Sequence, residues 1–237
     1  MTYPTVVLIP TRGRPAKLKR SVESCFDLAS RRNLIIPMLR VDDDDTTDYS
    51  SYDHVLRGPG YGYRGLHMMY RELILKIGLG TPVWYVMWND DEIMLTKDWD
   101  VKLQNYGGDP KVVFMRRDIT GAVDTAYPAW PSSLTDLTLG MVGDSPASDT
   151  WLACMTGAAD RLIGKTKTHV HGLDVWVKHD RDESDRHAPA VLAPVPDLGC
   201  SPGIEPYSFA LARYYQPDLC FSPPFGVDGN GTPIVRT

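Results

Sequence analysis

Apolar residues come in short bursts along this chain, and most bursts end in a charged or glycine-rich turn. Thr5-Val6-Val7-Leu8-Ile9 is β-rich and apolar throughout, which predicts a buried first strand. Pro10-Thr11-Arg12-Gly13-Arg14-Pro15 ends it as a basic loop. From Ala16 to about Ala29, Leu18, Val22, Cys25 or Phe26 and Ala29 recur on one helical face, with Lys17, Lys19, Arg20 and Glu23 largely off it. Leu34 to Val41 predicts a second strand, whose Pro37 costs a ladder bond and is tolerated at an edge or a bulge. That strand ends in Asp42-Asp43-Asp44-Asp45.

Thr46 to Gly60 is polar and turn-rich, and Gly58 to Gly65 is a glycine and aromatic loop. The stripe Leu66, Met69 or Tyr70, Leu73 and Ile77 predicts a helix to about Gly78. Val83 to Trp88 then reads as a strand that stops in Asn89-Asp90-Asp91-Glu92, with Ile93-Met94-Leu95 directly after. A short helix is expected from Lys97 to about Tyr106, a strand at Val112 to Met115, an aromatic loop from Ala122 to Pro131, and a return to the sheet at Leu137 to Val142. Ser148 is a good N-cap for a helix burying Trp151, Met155, Ala159 and Leu162. Thr168 to Lys178 alternates like a strand and ends in His179-Asp180. Strand, loop, helix and strand in this order predict an α/β fold with a mixed, mostly parallel central sheet flanked by helices. Residues 1–187 are expected to form one domain, with halves 1–105 and 106–187. Residues 188–237 are proline-rich and weakly periodic, and are expected as an irregular extension wrapped on the body or flexible.

Composition narrows the function classes. The chain has 237 residues, 43% apolar and 23% charged, ordinary for a globular domain. A net charge of −5 gives no footprint for strong nonspecific nucleic-acid binding. Met1-Thr2-Tyr3-Pro4 does not read as a secretory signal and no apolar run reaches membrane-spanning length, so a soluble, cytoplasmic protein is expected. Four cysteines, widely spaced and without CxxC, read as free thiols.

The candidate chemistry gathers at strand ends, where open α/β sheets bind ligands. Asp90, Asp91 and Glu92 sit between two apolar runs, so a turn close to the core carries three carboxylates. Such a cluster is costly beside a core unless positive charge meets it. Mg²⁺ or Mn²⁺ is a suitable partner, because these ions take carboxylate oxygens together with substrate phosphates. Arg64 and its glycine loop can approach phosphates. Gly60-x-Gly62-x-x-Gly65 matches the letters of a dinucleotide fingerprint, but no strand is read directly before it, so a dehydrogenase is set aside and the loop is taken as a donor-site lid or turn. Tyr61, Tyr63 and Trp130 are candidates to stack on a sugar or base.

In order and spacing, the loop Ile9 to Pro15, the acidic end of strand two, the helix after Gly65 and the strand ending Asp90-Asp91-Glu92 resemble the nucleotide-binding half of the GT-A glycosyltransferases. The resemblance implies a GT-A-like fold and a nucleoside-diphosphate sugar donor, a UDP-sugar first. It implies that Pro10, Thr11, Arg12 and Arg14 face the nucleotide, that Asp42 or Asp43 meets the base, and that Asp90 opens the D-x-D triplet. The triplet here ends in Glu, which leaves Asp91 and Glu92 as alternative ligands of Mn²⁺ or Mg²⁺. Ser148-Asp149-Thr150-Trp151 looks like the helix start that brings a carboxylate to the acceptor, which makes Asp149 the candidate base. A late histidine serves as a further metal ligand in many such enzymes; His179 fits that place, with His169 and His171 as rivals. The TRGRP, NDDE, DTW and H order resembles small bacteriophage glycosyltransferases. That resemblance implies hydroxymethylated DNA as an acceptor, with a glycan or a protein as alternatives. A nucleotidyltransferase that makes the nucleotide sugar and a non-catalytic sugar-nucleotide-binding protein are the other two function classes.

Overall fold

Alternation along the strands decides the layers. In β1 (Thr5–Thr11), Val6 and Leu8 enter one core while Val7 and Ile9 enter the other. In β4 (Trp84–Met87), Tyr85 and Met87 join the first core, and Trp84 and Val86 the second. Strands buried on both sides have no polar face to alternate, which is why they read as unbroken apolar runs. The computed structural model describes residues 2–117, 123–144, 147–180, 204–218, 225–227 and 233–235.

Among these residues the main sheet has eight strands. Besides β1 and β4 they are β2 (Ile35–Asp42), β3 (Val55–Gly58), β5 (Glu92–Met94), β6 (Val112–Arg117), β7 (Val123–Pro131) and β8 (His169–His179). Their order is β3-β2-β1-β4-β7-β6-β8-β5. The β3–β2, β2–β1, β1–β4 and β6–β8 pairs are parallel; β7 runs antiparallel to β4 and β6, and β5 antiparallel to β8. The expected mixed, mostly parallel α/β sheet is present. A separate pair, β9 (Phe225–Val227) and β10 (Pro233–Val235), is antiparallel.

One face is covered by α1 (Pro15–Leu28) and α3 (Trp99–Gln104), which supply Leu18, Val22, Cys25, Trp99 and Leu103. Pro15 stands in the first turn of α1, where its missing N–H costs nothing. The other face is covered by α2 (Leu66–Ile77), α4 (Ser132–Thr138), α5 (Ser148–Ile163) and α6 (Glu205–Tyr215). No helix among the described residues is long and apolar enough to cross a membrane.

Several expectations need correction. The segment read as an aromatic loop is β7, whose Trp130 and Pro131 pair with Tyr85 and Trp84. The strand expected at 137–142 is absent: α4 ends at Thr138 and Leu139 turns the chain with φ +52°. Ser148 is the first residue of α5 and not its cap, since Ala147 holds the cap position and no side-chain capping bond forms. A strand does precede the glycine loop, because β3 ends at Gly58. Tyr61 packs against Gly65, where a Cβ would fall 2.2 Å from Tyr61 Cβ, so the third glycine makes room for the loop's own tyrosine and not for the strand that a dinucleotide fingerprint packs there. The proline-rich extension contains α6, whose Leu211 and Ala212 are core residues. The 187/188 boundary lies outside the described residues. Pro37 lies where β2 is an edge, since β3 joins only from Leu39 onward.

Candidate active site

Strand order reverses beside β1, which has β2 and β3 on one side and β4 on the other. Such a switch point opens a crevice at the carboxyl ends of the strands. Here it is bridged by Thr11 at the end of β1, whose hydroxyl donates to Asp90 Oδ2 at 2.7 Å. Arg14, where α1 starts, donates from Nε to the same oxygen at 3.1 Å and sets its Nη2 against Asp90 Oδ1. Its Nη1 lies 3.4 Å from Asp91 Oδ2. These contacts join the basic loop after β1 to the acidic tip after β4.

The three carboxylates differ. Asp90 and Glu92 are fully buried, while Asp91 keeps 8% of its surface exposed. Glu92 Oε2 accepts no hydrogen bond, whereas Asp90 Oδ1 has the Arg14 ion pair. Burial pushes the Asp90 carboxyl up, with Thr11 and Arg14 pulling the other way. Burial pushes Glu92 well above the ordinary carboxylate range; the bonds from Asn89 oppose this, and the charges of Asp91 and Asp149 add to it. Glu92 Oε1 accepts from Asn89 Nδ2 at 2.6 Å. His179, paired with Glu92 across the β5–β8 ladder, turns its Nε2 to 3.3 Å from Asp91 Oδ1 and its Nδ1 to 3.3 Å from the Tyr127 hydroxyl.

Among the described residues no three metal-ligating side chains converge. Asp91 and His179 nevertheless fit a cation that leaves most of its positions to substrate phosphates and water, as Mg²⁺ does at such sites. Glu92 lies buried behind them, its Oε1 taken by Asn89.

On the β2 side, Arg12 donates to Asp42 Oδ2 and Asp44 Oδ2, both at 2.7 Å. Asp42 is buried; Asp43 is exposed, with its N–H donated to Gly58 O at 2.8 Å. Asp45 fixes the basic loop by accepting from Gly13 N at 2.9 Å. Pro10 is buried within β1, and Arg64 is exposed on the turn before α2, with no ion pair to a described residue. Asp149 stands in the first turn of α5, close enough to the cluster that its charge adds to the upward push on Glu92 and on the buried Tyr70 hydroxyl. His169 and His171 lie at the other end of β8, beside Val112 and Phe114, and the structure does not bring them to the cluster.

Sequence reasoning missed several residues. Tyr70 was read only as part of a helix stripe, yet its hydroxyl meets Trp88 O at 3.2 Å and Asn89 Oδ1 at 3.3 Å and feels four carboxylates. Arg40 is a fully buried arginine inside an apolar strand, a signal that the sequence carries. It donates to Val41 O, Pro59 O and Glu72, and its Nη1 lies 3.6 Å from Asp42 Oδ1.

No protein-family model matches the chain, and no curated protein matches it in sequence. Solved structures do. A mannosyltransferase from Pyrobaculum calidifontis, in complex with GDP-mannose and Mn²⁺, superposes with a TM-score of 0.56 at 12% identity, over 90% of this chain and 70% of the other. TarS from Staphylococcus aureus, residues 1–349 in complex with UDP, gives 0.53 at 8% identity over 75% of this chain. The match spans 60% of the length of that TarS chain. At such identities the likeness establishes the fold, which is GT-A-like.

Proposed function

We propose that this chain transfers a sugar from a nucleoside-diphosphate sugar, a UDP-sugar first, to an acceptor hydroxyl, with Mn²⁺ or Mg²⁺ bound. The observation that carries the reading is the Thr11–Asp90–Arg14 knot across the β1/β4 crevice, with Asp91 and His179 beside it. The GT-A-like fold, and the UDP and the GDP-mannose with Mn²⁺ bound to its structural neighbours, support it.

In this reading Arg12 and Asp42 meet the nucleoside, and Arg14 lies along the diphosphate, where a guanidinium pairs well with phosphate oxygens. Asp91 and His179 would hold the cation, which would supply positive charge against that of a departing diphosphate. Asp149 accepts the proton of the acceptor hydroxyl. The acceptor oxygen bonds to the anomeric carbon, the bond from that carbon to phosphate oxygen breaks, and its electron pair leaves with the diphosphate.

The test is incubation with UDP-, GDP- and TDP-sugars and Mn²⁺, following release of nucleoside diphosphate. EDTA should abolish release and added Mn²⁺ restore it. Formation or consumption of pyrophosphate would instead identify a nucleotidyltransferase, and thermal stabilisation without turnover a binding protein. For the acceptor we put forward hydroxymethylated DNA, on the likeness to phage enzymes. A mass shift on that DNA supports it; a shift only on a glycan or protein refutes it.

A further inference from the structure

Asp91 has both carboxylate oxygens engaged by protein groups. Oδ1 faces His179 Nε2 at 3.3 Å, and Oδ2 accepts from Arg14 Nη1 at 3.4 Å. The same guanidinium spans to Asp90, where Nε meets Oδ2 at 3.1 Å and Nη2 meets Oδ1. Arg14 thus bridges two carboxylates and offsets the repulsion between them. The two ends of this residue are held differently. On the backbone side, Gly13 N donates to Asp45 Oδ2 at 2.9 Å and to the Tyr49 hydroxyl at 3.1 Å. Pro15 opens α1 directly after, and Arg14 O accepts from Leu18 N at 3.0 Å. The side chain, by contrast, is 42% exposed, against 0% for that of Asp90 and 10% for that of Asp91. A long arm on a fixed base can turn its head without moving the fold. Asp90 keeps a partner when it does, since the Thr11 hydroxyl donates to Oδ2 at 2.7 Å.

A divalent cation and a guanidinium cannot share Asp91 without repulsion. On neighbouring lone pairs of one carboxylate they would stand about 4 Å apart, well inside the range of strong like-charge repulsion. A diphosphate reverses that balance. Its oxygens offer the guanidinium fork the same two-point partner that it has in Asp90. Positive charge on Asp91 would then favour the move away from the carboxylates.

We infer that Arg14 couples the cation to the donor: it holds Asp91 against a divalent ion until a diphosphate draws the guanidinium away. This rests on the nucleotide-sugar reading above and adds an order to it. Mn²⁺ alone binds weakly, and Mn²⁺ together with a diphosphate binds tightly, because one side chain changes partners between the two states.

Two binding measurements test this without turnover: Mn²⁺ alone, by the electron paramagnetic resonance signal of the free ion, and UDP and GDP at saturating Mn²⁺, by calorimetry. The variants are Arg14→Gln and Arg14→Lys, whose single ammonium keeps a charge at Asp90 but cannot fork to Asp91. In Arg14→Gln, Mn²⁺ alone should bind roughly tenfold tighter, as where the parent frees Asp91 in about one molecule in ten. The diphosphate should bind roughly tenfold more weakly, the loss of one charge-assisted bond. In Arg14→Lys both changes should keep their signs and be smaller. A purely structural arginine would move both constants the same way. Mn²⁺ binding that is unchanged or weaker in the variants, or diphosphate binding that does not weaken, overturns the inference and leaves the nucleotide-sugar reading intact. Loss of folding in both variants would show the arginine to be structural and overturn it as well. If the parent protein binds no diphosphate with Mn²⁺ present, the donor reading falls and this inference falls with it.

Discussion

Asp90 and Asp100 are ten residues apart and equally shut off from solvent, both at 0% exposure. Their oxygens have different fates. Asp100 Oδ1 accepts from Ser30 N at 2.8 Å and Oδ2 from Arg31 N at 3.0 Å, so both serve the turn that follows α1. Asp90 shares one oxygen between Thr11 and Arg14 and sets the other against Arg14 Nη2. The first carboxylate is tied to the backbone that turns after α1. The second is tied to side chains of the basic loop, on the crevice where strand order reverses. Burial alone does not distinguish the two acids; their partners do.

The comparison breaks most visibly at Asp100. Asp100→Ala leaves two backbone N–H groups without acceptors and should lower stability by about 3 kcal/mol, read as a shift in urea midpoint, with turnover per folded molecule unchanged. Asp90→Asn should do the reverse. Release of nucleoside diphosphate should fall about 100-fold, as on loss of one charge-organising group, while the midpoint moves by less than about 1 kcal/mol. Equal destabilisation by the two substitutions would erase the distinction. A smaller effect is expected at the Asp42 end. Gly58→Ala places a Cβ 2.6 Å from Arg40 Nη2, and overpacking of this sort costs about 1–3 kcal/mol. Arg40 also lies against Asp42, so nucleotide affinity should weaken in the same variant. The smallest effect is at His169, far from the cluster. Burial pushes its pKa down, with His171 adding to this, so the fold favours the neutral ring. Below the unfolded pKa of about 6.5 the unfolded chain binds a proton that the folded chain resists. Stability present above that pH should therefore be lost as pH falls from there through the lowered folded pKa. His169→Phe should flatten that slope in thermal melts, leaving the Asp90 behaviour untouched.

How legible this was follows the same division. Unbroken apolar runs announced β1 and β4, and the acidic tip's need for positive charge pointed to the basic loop without naming the Arg14–Asp90 pair. β7 was misread because Pro128 and Pro131 interrupt its alternation, although pairing to β4 and β6 from both sides supplies what local propensity lacks. α6 was hidden in a proline-rich stretch, yet Pro206 stands in its first turn, where proline favours a helix. Arg40 and Tyr70 were within reach of a reading that asked why polar groups interrupt apolar stripes.

α6 bears on the order in which this protein can be made. Ile204, Leu211 and Ala212 share one core with Val6 and Leu8, and Ser208 Oγ donates to Met155 O at 3.1 Å. α6 packs on α4 and α5, so those helices keep apolar surface uncovered until this later helix has emerged. During that interval the exposed surface is open to chaperones and to aggregation.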